Sequence, residues 1–281
     1  MKIEKCIELF LLDVKIKRLK PRSIKTYIIH LQVFSSFCAG RDVTEIEQVD
    51  TLFIKEYGLS LSDKSIAYQR NLLSMVSNLF SYLIQDELIL SKPKIKLPRK
   101  VIRVKEILSK EEIGKIIKSC NNPKQRLMIL MLLDSGMRIS ELINLNIPQI
   151  DFETGVIHLL DTKSGERFVT IGNRVKKGLI IYLEEREKGP VFLTNSKKRY
   201  TLSGINKIFK NIRKRSGVKH FTAHSCRRTF ITNSIRGKMP LDILMRLSGH
   251  SDFKTVKEHY LKTETKDLID AQDEYGLIDN L

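Results

Sequence analysis

Apolar residues recur at helical spacing through most of the first 90 residues. They predict one helix that begins after the cap-like Ser23 and a longer helix that begins after Ser62. The longer helix is expected to bury Ile66, Leu72, Leu73, Val76, Leu79, Phe80 and Leu83. Residues 1–91 are therefore predicted to form a helical domain.

The pattern breaks after this domain. The segment SKPKIKLPRKVIRVK, residues 91–105, contains two prolines and a run of basic residues but no acidic residue. Proline resists a helix, and like charges extend a chain. We therefore expect residues 92–106 to form a basic linker, either as a solvated tether or as a strap along a phosphate backbone.

Helical spacing resumes beyond the linker. Ser109 and Glu112 have the spacing of a capping box, and an apolar helix over 125–133 is expected to end near Gly136. The stretch GVIHLLDTKSGERFVTI predicts a β-hairpin with Gly165 in its polar tip. Further helices are predicted near 173–186, 201–215, 223–236, 241–248 and 252–260.

These elements define the expected fold class. The chain is predicted to be mainly α, with a helical N-terminal domain followed by a mixed, mostly helical domain over residues 107–281. The second domain belongs to the α+β type because it contains the small hairpin.

Charge narrows the choice of partner. The 281 residues include 50 Lys and Arg against 32 Asp and Glu, so the formal net charge is +18. Such an excess favours a polyanionic partner, nucleic acid first and an anionic membrane surface second. The longest apolar run is too short to cross a bilayer, so no membrane association is expected.

The pattern of cysteines predicts a soluble, cytoplasmic protein, because they form no CxxC pair. The four cysteines are Cys6, Cys38, Cys120 and Cys226.

Several candidate chemical residues have an ordinary structural explanation when taken singly. Arg138 and Glu141 have the spacing of a helical ion pair, and Lys163 lies at an exposed hairpin tip. His224 and Arg227 share a helix face. His250 and Tyr260 could likewise be a helix-end histidine and a core tyrosine.

Their order along the chain is more informative. The strings SGMRISEL, TKSGERFV, HSCRRTF, LSGHSD and EHY resemble the signature of the tyrosine recombinases, or phage-integrase family. The size of the chain is most similar to that of the Xer-type members. This resemblance implies a core-DNA-binding domain and a catalytic domain that form a C-shaped clamp on DNA. Arg228 departs from the pattern, because the family often has histidine there.

The resemblance assigns three residues to a DNA phosphate and a fourth to their support. Arg138 and Arg227 would grip its non-bridging oxygens, since guanidinium groups form paired hydrogen bonds and stay charged. His250 would donate a hydrogen bond to the same phosphate. Glu141 would orient Arg138 rather than touch the DNA.

The remaining roles concern proton transfer. The resemblance implies that Tyr260 attacks the phosphorus, that His224 accepts the phenol proton and that Lys163 protonates the leaving 5′ oxygen. The resulting phosphotyrosine would conserve the bond energy. Hence neither a metal nor another cofactor is expected.

The expected partner is double-stranded DNA that carries a specific recombination site. A homo-tetramer on synapsed DNA is implied, with a monomer or dimer when free. The tail over 263–281 would either cover its own domain or dock on a neighbouring protomer. Basic stretches expected to contact DNA contain Lys17, Arg18, Lys20, Arg22, Lys25, Lys92, Lys94, Lys96, Arg99, Lys100, Lys197, Lys198, Arg199, the Asn206-Lys207 pair and Arg213.

Two alternatives remain open on the sequence. One is a type IB topoisomerase, which relaxes DNA with a similar set of residues. The other is a DNA-binding relative that has lost its chemistry, although all six signature positions are filled here. A serine recombinase or a metal-dependent transposase is disfavoured, because the sequence lacks the required nucleophile context or carboxylate triad.

Overall fold

The computed structural model describes residues 1–19, 21–99, 106–160 and 165–249. The chain divides into two compact units, Met1–Val101 and Ile102–Leu281. Each unit has its own cluster of buried apolar side chains. Within the described ranges, no helix is both long and apolar enough to cross a membrane.

The first unit is helical, as predicted. Helices α1, α2 and α4 pack against one another, and a short 3-10 turn precedes α3. The elements are α1 (Ile3–Ile16), α2 (Pro21–Ala39), the 3-10 turn (Ile46–Gln48), α3 (Thr51–Ser60) and α4 (Ile66–Gln85).

Two helix starts differ from the prediction. Helix α2 begins at Pro21, before Ser23, because the first turn of a helix has no use for the N–H that proline lacks. Helix α4 begins at Ile66, where the Ser65 hydroxyl accepts a backbone N–H of the first turn. Ile66 is 42% exposed, so its predicted burial is wrong. The other six apolar positions of that set are buried.

The described part of the basic linker packs on the first unit instead of forming a free tether. The backbone N–H of Lys94 donates to the Thr51 hydroxyl at 3.0 Å. Ile95 packs against the apolar core, and the Arg70 guanidinium donates to the Pro98 carbonyl. Residues 91–99, here named the basic strap, thus lie against the first unit through contacts with α3 and α4.

The described part of the second unit contains seven α-helices, a 3-10 turn (Ile147–Gln149) and one antiparallel hairpin. The helices are α5 (Lys110–Lys118), α6 (Pro123–Ser135), α7 (Ile139–Asn144), α8 (Asn173–Leu183), α9 (Leu202–Ser216), α10 (Ala223–Arg236) and α11 (Leu241–Ser248). The hairpin strands are β1 (Val156–Leu159) and β2 (Arg167–Thr170), with Leu159 opposite Arg167. The predicted hairpin and the Ser109–Glu112 capping box are both confirmed.

Helix α6 lies at the centre of this unit. Its apolar run over 127–133 contributes several buried side chains to the core, and it packs against α7, α8, α10 and β2. The helix ends at Gly136, whose φ is +62°. A Cβ there would lie 2.2 Å from a ring carbon of Phe230 on α10. Glycine therefore permits the tight turn that leads directly to Arg138.

Replacing Gly136 by alanine is expected to lower the free energy of unfolding by roughly 1–3 kcal/mol, because the new Cβ overpacks against Phe230 and strains the backbone. Thermal or urea unfolding would measure the loss. Gly114→Ala is the matched control, since it adds a methyl in open space within α5 and should stabilise by roughly 0.5–1 kcal/mol. Equal stability of Gly136→Ala and wild type would contradict this role for the turn.

Candidate active site

Arg138 and Glu141 form the first contact of the candidate site. Arg138 is the N-cap residue of α7, and its backbone N–H donates to Glu141 Oε2 at 2.6 Å. Its Nη1 donates to Glu141 Oε1 at 2.9 Å. Glu141 is buried, whereas the Arg138 side chain is 27% exposed. The carboxylate therefore holds both the backbone and the guanidinium of Arg138.

Arg167 on β2 is a second arginine on the same carboxylate. Its Nη1 and Nη2 donate to Glu141 Oε1 and Oε2 at 2.7 and 2.6 Å. Burial alone would raise the pKa of Glu141, but hydrogen bonds from Arg167 and Arg138 hold that pKa below its ordinary value. Glu141 consequently stays ionised in the interior.

The sequence interpretation gave Arg167 no role in the site. Strand alternation places Arg167 and Val169 on the buried face of β2 and Phe168 on the exposed face. A charged residue on the buried face of a strand requires a partner. That alternation was a signal available in the sequence, although it does not identify Glu141 as the partner.

Arg227 enters from α10 and is buried. Its Nη1 donates to the Gly136 carbonyl at 2.7 Å, and its Nη2 donates to the Ser248 carbonyl. Thr222 caps the same helix by accepting the Ser225 N–H at 3.0 Å. His224 lies in the first turn of this helix and is exposed.

The three arginines meet at the C-terminal end of α11. Arg167 Nε donates to the Leu247 carbonyl at 2.9 Å, and Arg227 Nη2 donates to the next carbonyl. Arg138 Nη2 donates to the carbonyl after that, of Gly249, at 3.2 Å. The last carbonyls of a helix lack intrahelical partners and carry a partial negative charge, so they suit guanidinium donors. Arg138, Arg167 and Arg227 are named the arginine cluster below.

The arginine cluster combines positive charge with rigid positioning. Two of the three guanidinium groups bind the Glu141 carboxylate and the third binds the Gly136 and Ser248 carbonyls, so the four side chains carry a formal net charge of +2. Such a group suits an anion with several oxygens, because guanidinium donors form paired, charge-assisted hydrogen bonds. Among the described residues, no group of three or more His, Cys, Asp or Glu side chains is arranged to hold a metal ion.

Some predicted residues lie outside the described ranges. They are Lys20, Lys100, Lys163, His250 and Tyr260, together with the predicted helix over 252–260 and the tail over 263–281. The structure brings Arg138, Glu141 and Arg227 together, with His224 one helical turn before Arg227. His250 follows Gly249 directly in the chain.

Most described members of the basic stretches face solvent. Asn206 is also exposed, whereas Arg213 is half-buried. The exposed basic residues are Lys17, Arg18, Arg22, Lys25, Lys92, Lys94, Lys96, Arg99, Lys197, Lys198 and Lys207.

Two arginines serve the fold of the second unit. Arg199 donates to the Ile143 carbonyl and to Asn146 Oδ1, both at 2.7 Å. Its guanidinium therefore holds the end of α7 to Asn146, and its expected contact with DNA stays a prediction. Arg228 is buried, and its Nη2 donates to the Glu106 carbonyl at 3.1 Å. It thereby joins α10 to the start of the second unit.

Comparison with known proteins identifies the family to which the chain belongs. Residues 106–266, more than half of the chain, match the model of the phage integrase family. The chain belongs to that family, and its resemblance to Xer-type tyrosine recombinases is confirmed.

Curated relatives extend over both units. The chain is 26% identical over 292 residues to "Tyrosine recombinase XerD" of Oceanobacillus iheyensis, covering 96% of this chain and 98% of the relative. It is 28% identical over 261 residues to "Tyrosine recombinase XerC" of Leptospira interrogans, covering 86% of this chain and 83% of the relative. The similarity is thus not restricted to the second unit.

A solved structure shows the same fold. The Tn1549 transposon integrase, determined in complex with transposon right end DNA, superposes with a TM-score of 0.83 at 19% identity. The match covers 98% of this chain and 100% of the other. The predicted mainly helical fold class is therefore confirmed.

Proposed function

We propose that this chain is a site-specific recombinase that cuts and rejoins double-stranded DNA through a 3′-phosphotyrosyl intermediate, without a metal or nucleotide cofactor. The observation that carries the proposal is the arrangement of Arg138 and Arg227 on two consecutive carbonyls of one helix end. Membership of the phage integrase family and the relatives named as tyrosine recombinases support it. The homologous Tn1549 integrase in complex with DNA supports DNA as the substrate.

In the proposed reaction the Tyr260 oxygen bonds to the scissile phosphorus while the bond from phosphorus to the 5′ oxygen breaks. The phenol proton passes to His224, and Lys163 gives a proton to the departing 5′ oxygen. Arg138 and Arg227 stabilise the charge that builds on the non-bridging oxygens, with a hydrogen bond from His250. A 5′ hydroxyl then reverses these steps on the phosphotyrosine and rejoins the strand.

The arginine contacts explain why this geometry suits a phosphate. A guanidinium has five N–H donors, and contacts to Glu141 and Gly249 use two of those on Arg138. Preorganised donors need no rearrangement when negative charge develops, so they contribute strongly to catalysis.

In the proposed assembly, four copies of the chain act on two synapsed duplexes.

Trapping of a covalent adduct tests this function. First, the full-length protein would be used to enrich duplexes that it binds from a randomised library. Versions of the enriched duplex, nicked at successive positions, would then be incubated with the protein in EDTA. We expect a protein–DNA adduct and a free 5′ hydroxyl that polynucleotide kinase can label. An adduct through a 5′ phosphate, which would leave no 5′ hydroxyl for the kinase to label, or cleavage that requires a divalent cation, would contradict the mechanism.

Plasmid relaxation separates this function from the topoisomerase alternative. A recombinase that depends on a specific site is expected to leave a supercoiled plasmid without the enriched sequence unrelaxed. A type IB topoisomerase would relax that plasmid. A relative without chemistry would bind the enriched duplex and form no adduct on any nicked version.

The basic strap offers a prediction about binding. Lys92, Lys94 and Lys96 are exposed on it, so binding of phosphates there would release counterions. Their joint replacement by glutamine is expected to weaken binding to the enriched duplex. The log–log salt slope should become shallower by about 0.9 for each phosphate that the strap no longer neutralises.

Matched charge changes elsewhere on the first unit provide the control. Lys2, Lys5 and Lys55 are also exposed and lie outside the basic stretches. Their joint replacement by glutamine removes the same charge and should leave the salt slope within error of wild type. Equal slopes for both triple variants would contradict a specific role for the strap.

A further inference from the structure

We infer that Arg167 is a positioning residue that acts through Arg138, an inference that rests on the function proposed above. The two arginines share Glu141, and each oxygen of that carboxylate accepts one hydrogen bond from each of them. All three side-chain nitrogens of Arg167 donate to protein acceptors, two of them to Glu141, so its side chain is committed to supporting the half-buried Arg138.

Arg167 fixes Glu141 in a way that no neutral side chain could. Its guanidinium is planar, and its two terminal nitrogens meet the two carboxylate oxygens at 2.7 and 2.6 Å. This paired geometry restrains both the position and the rotation of the carboxylate. Each oxygen of the fixed carboxylate also accepts one hydrogen bond from Arg138, from its backbone N–H or from its Nη1. These two hydrogen bonds align Arg138.

The same side chain joins the hairpin to α11. Arg167 belongs to β2, yet its Nε donates to the Leu247 carbonyl, two residues before the Gly249 carbonyl that accepts from Arg138. Glu141 and the end of α11, the two groups that hold Arg138, are therefore both bound by Arg167. A shift of about 1 Å in a reacting group can cost roughly 100-fold in rate, so removing these two attachments should slow cleavage.

A double-mutant cycle on adduct formation tests the inference. Arg167→Lys keeps a positive charge near Glu141 but loses the paired geometry, because an ammonium is a point charge. With the nicked, enriched duplex at saturating protein, we expect single-turnover adduct formation to slow by about 10- to 100-fold while duplex binding stays unchanged. In an Arg138→Ala background, Arg167→Lys should slow adduct formation by less than about 3-fold, because the guanidinium that Arg167 positions is already absent.

Arg186→Lys is the matched control. Arg186 is half-buried and donates to two backbone carbonyls, those of Pro190 and Val191, at 3.0 and 2.9 Å. Its replacement should leave the cleavage rate unchanged in both backgrounds. Should Arg167→Lys lack a cooperative thermal transition, Arg167→Gln, which keeps an amide donor for Glu141, takes its place in the cycle.

The outcomes separate this inference from the proposed function. A wild-type rate for the Arg167 variant, or an equal loss in the presence and absence of Arg138, would overturn the positioning role. Either result would leave the proposed function intact, provided that wild type still forms its adduct. Failure of the wild-type protein to form any adduct would instead overturn the proposed function itself.

Discussion

Tyr260→Phe is expected to abolish covalent adduct formation while leaving affinity for the enriched duplex unchanged. The substitution removes only the phenolic oxygen, which the mechanism uses as the nucleophile, and it keeps the aromatic ring. By comparison with the removal of other enzyme nucleophiles, we expect the rate to fall by roughly 10⁴-fold or more. Gel shift would measure binding, and denaturing electrophoresis of the nicked, labelled duplex would measure the adduct.

Tyr275→Phe provides the control for this experiment. It makes the same chemical change in the same C-terminal stretch, where Tyr275 is the next tyrosine in the sequence. This variant should form adduct at the wild-type rate. Persistent adduct in Tyr260→Phe, together with its loss in Tyr275→Phe, would assign the nucleophile to Tyr275 and contradict the proposal.

Glu141→Ala is expected to lower the free energy of unfolding by about 3–5 kcal/mol, the range for breaking a buried ion pair. Arg167 is only 8% exposed, and two of its hydrogen bonds go to the Glu141 carboxylate. Without that carboxylate, its positive charge would stay in the interior without a counterion. Urea unfolding at neutral pH would measure the change. Removal of the carboxylate should also disturb Arg138 and slow cleavage.

Two variants separate a buried charge from a general effect of the substitution. Glu166→Ala removes an exposed glutamate of the same hairpin, which pairs with the half-buried His158 at 3.1 Å, and should change stability by no more than about 0.5 kcal/mol. Glu141→Leu combined with Arg167→Met replaces the pair by apolar groups, and should recover much of the stability lost in Glu141→Ala. A double variant as unstable as Glu141→Ala would refute the explanation.

The lowered pKa of Glu141 also sets a direction for the effect of pH. A carboxyl group whose pKa is lower in the folded state stabilises the fold fully above its unfolded pKa, near 4.5. That stabilisation is lost as pH falls through the lower, folded value. Glu141→Gln should therefore lose less stability than wild type below about pH 4.5.

Local signals in the sequence were sufficient for much of the fold. The capping box at Ser109 and Glu112 and the left-handed turn at Gly136 depend on neighbours a few residues away. The hairpin follows from alternation and a polar tip. Ile66 shows the limit of periodicity, because its position on the apolar face does not reveal that the first turn of α4 leaves it open to solvent.

The site required information that local patterns do not contain. Arg138 and Glu141 are three residues apart, so their contact could be expected from helix geometry. Arg167 lies 26 residues from Glu141, and its contact exists only after the hairpin packs near α7. Arg199 lies in a basic stretch, and its contacts with Ile143 and Asn146 could not be expected from that local pattern because they form only through tertiary packing.

A neutral substrate tests most directly whether Arg138 of the arginine cluster stabilises charge on the scissile phosphate. In the nicked duplex, one non-bridging oxygen of that phosphate would be replaced by a methyl group, which removes its negative charge. On the natural phosphate, we expect Arg138→Ala to form adduct roughly 10²–10³-fold more slowly than wild type. On the methylphosphonate, the two proteins should differ by less than about 10-fold, because little charge remains to stabilise. An equal penalty on both substrates would contradict the account.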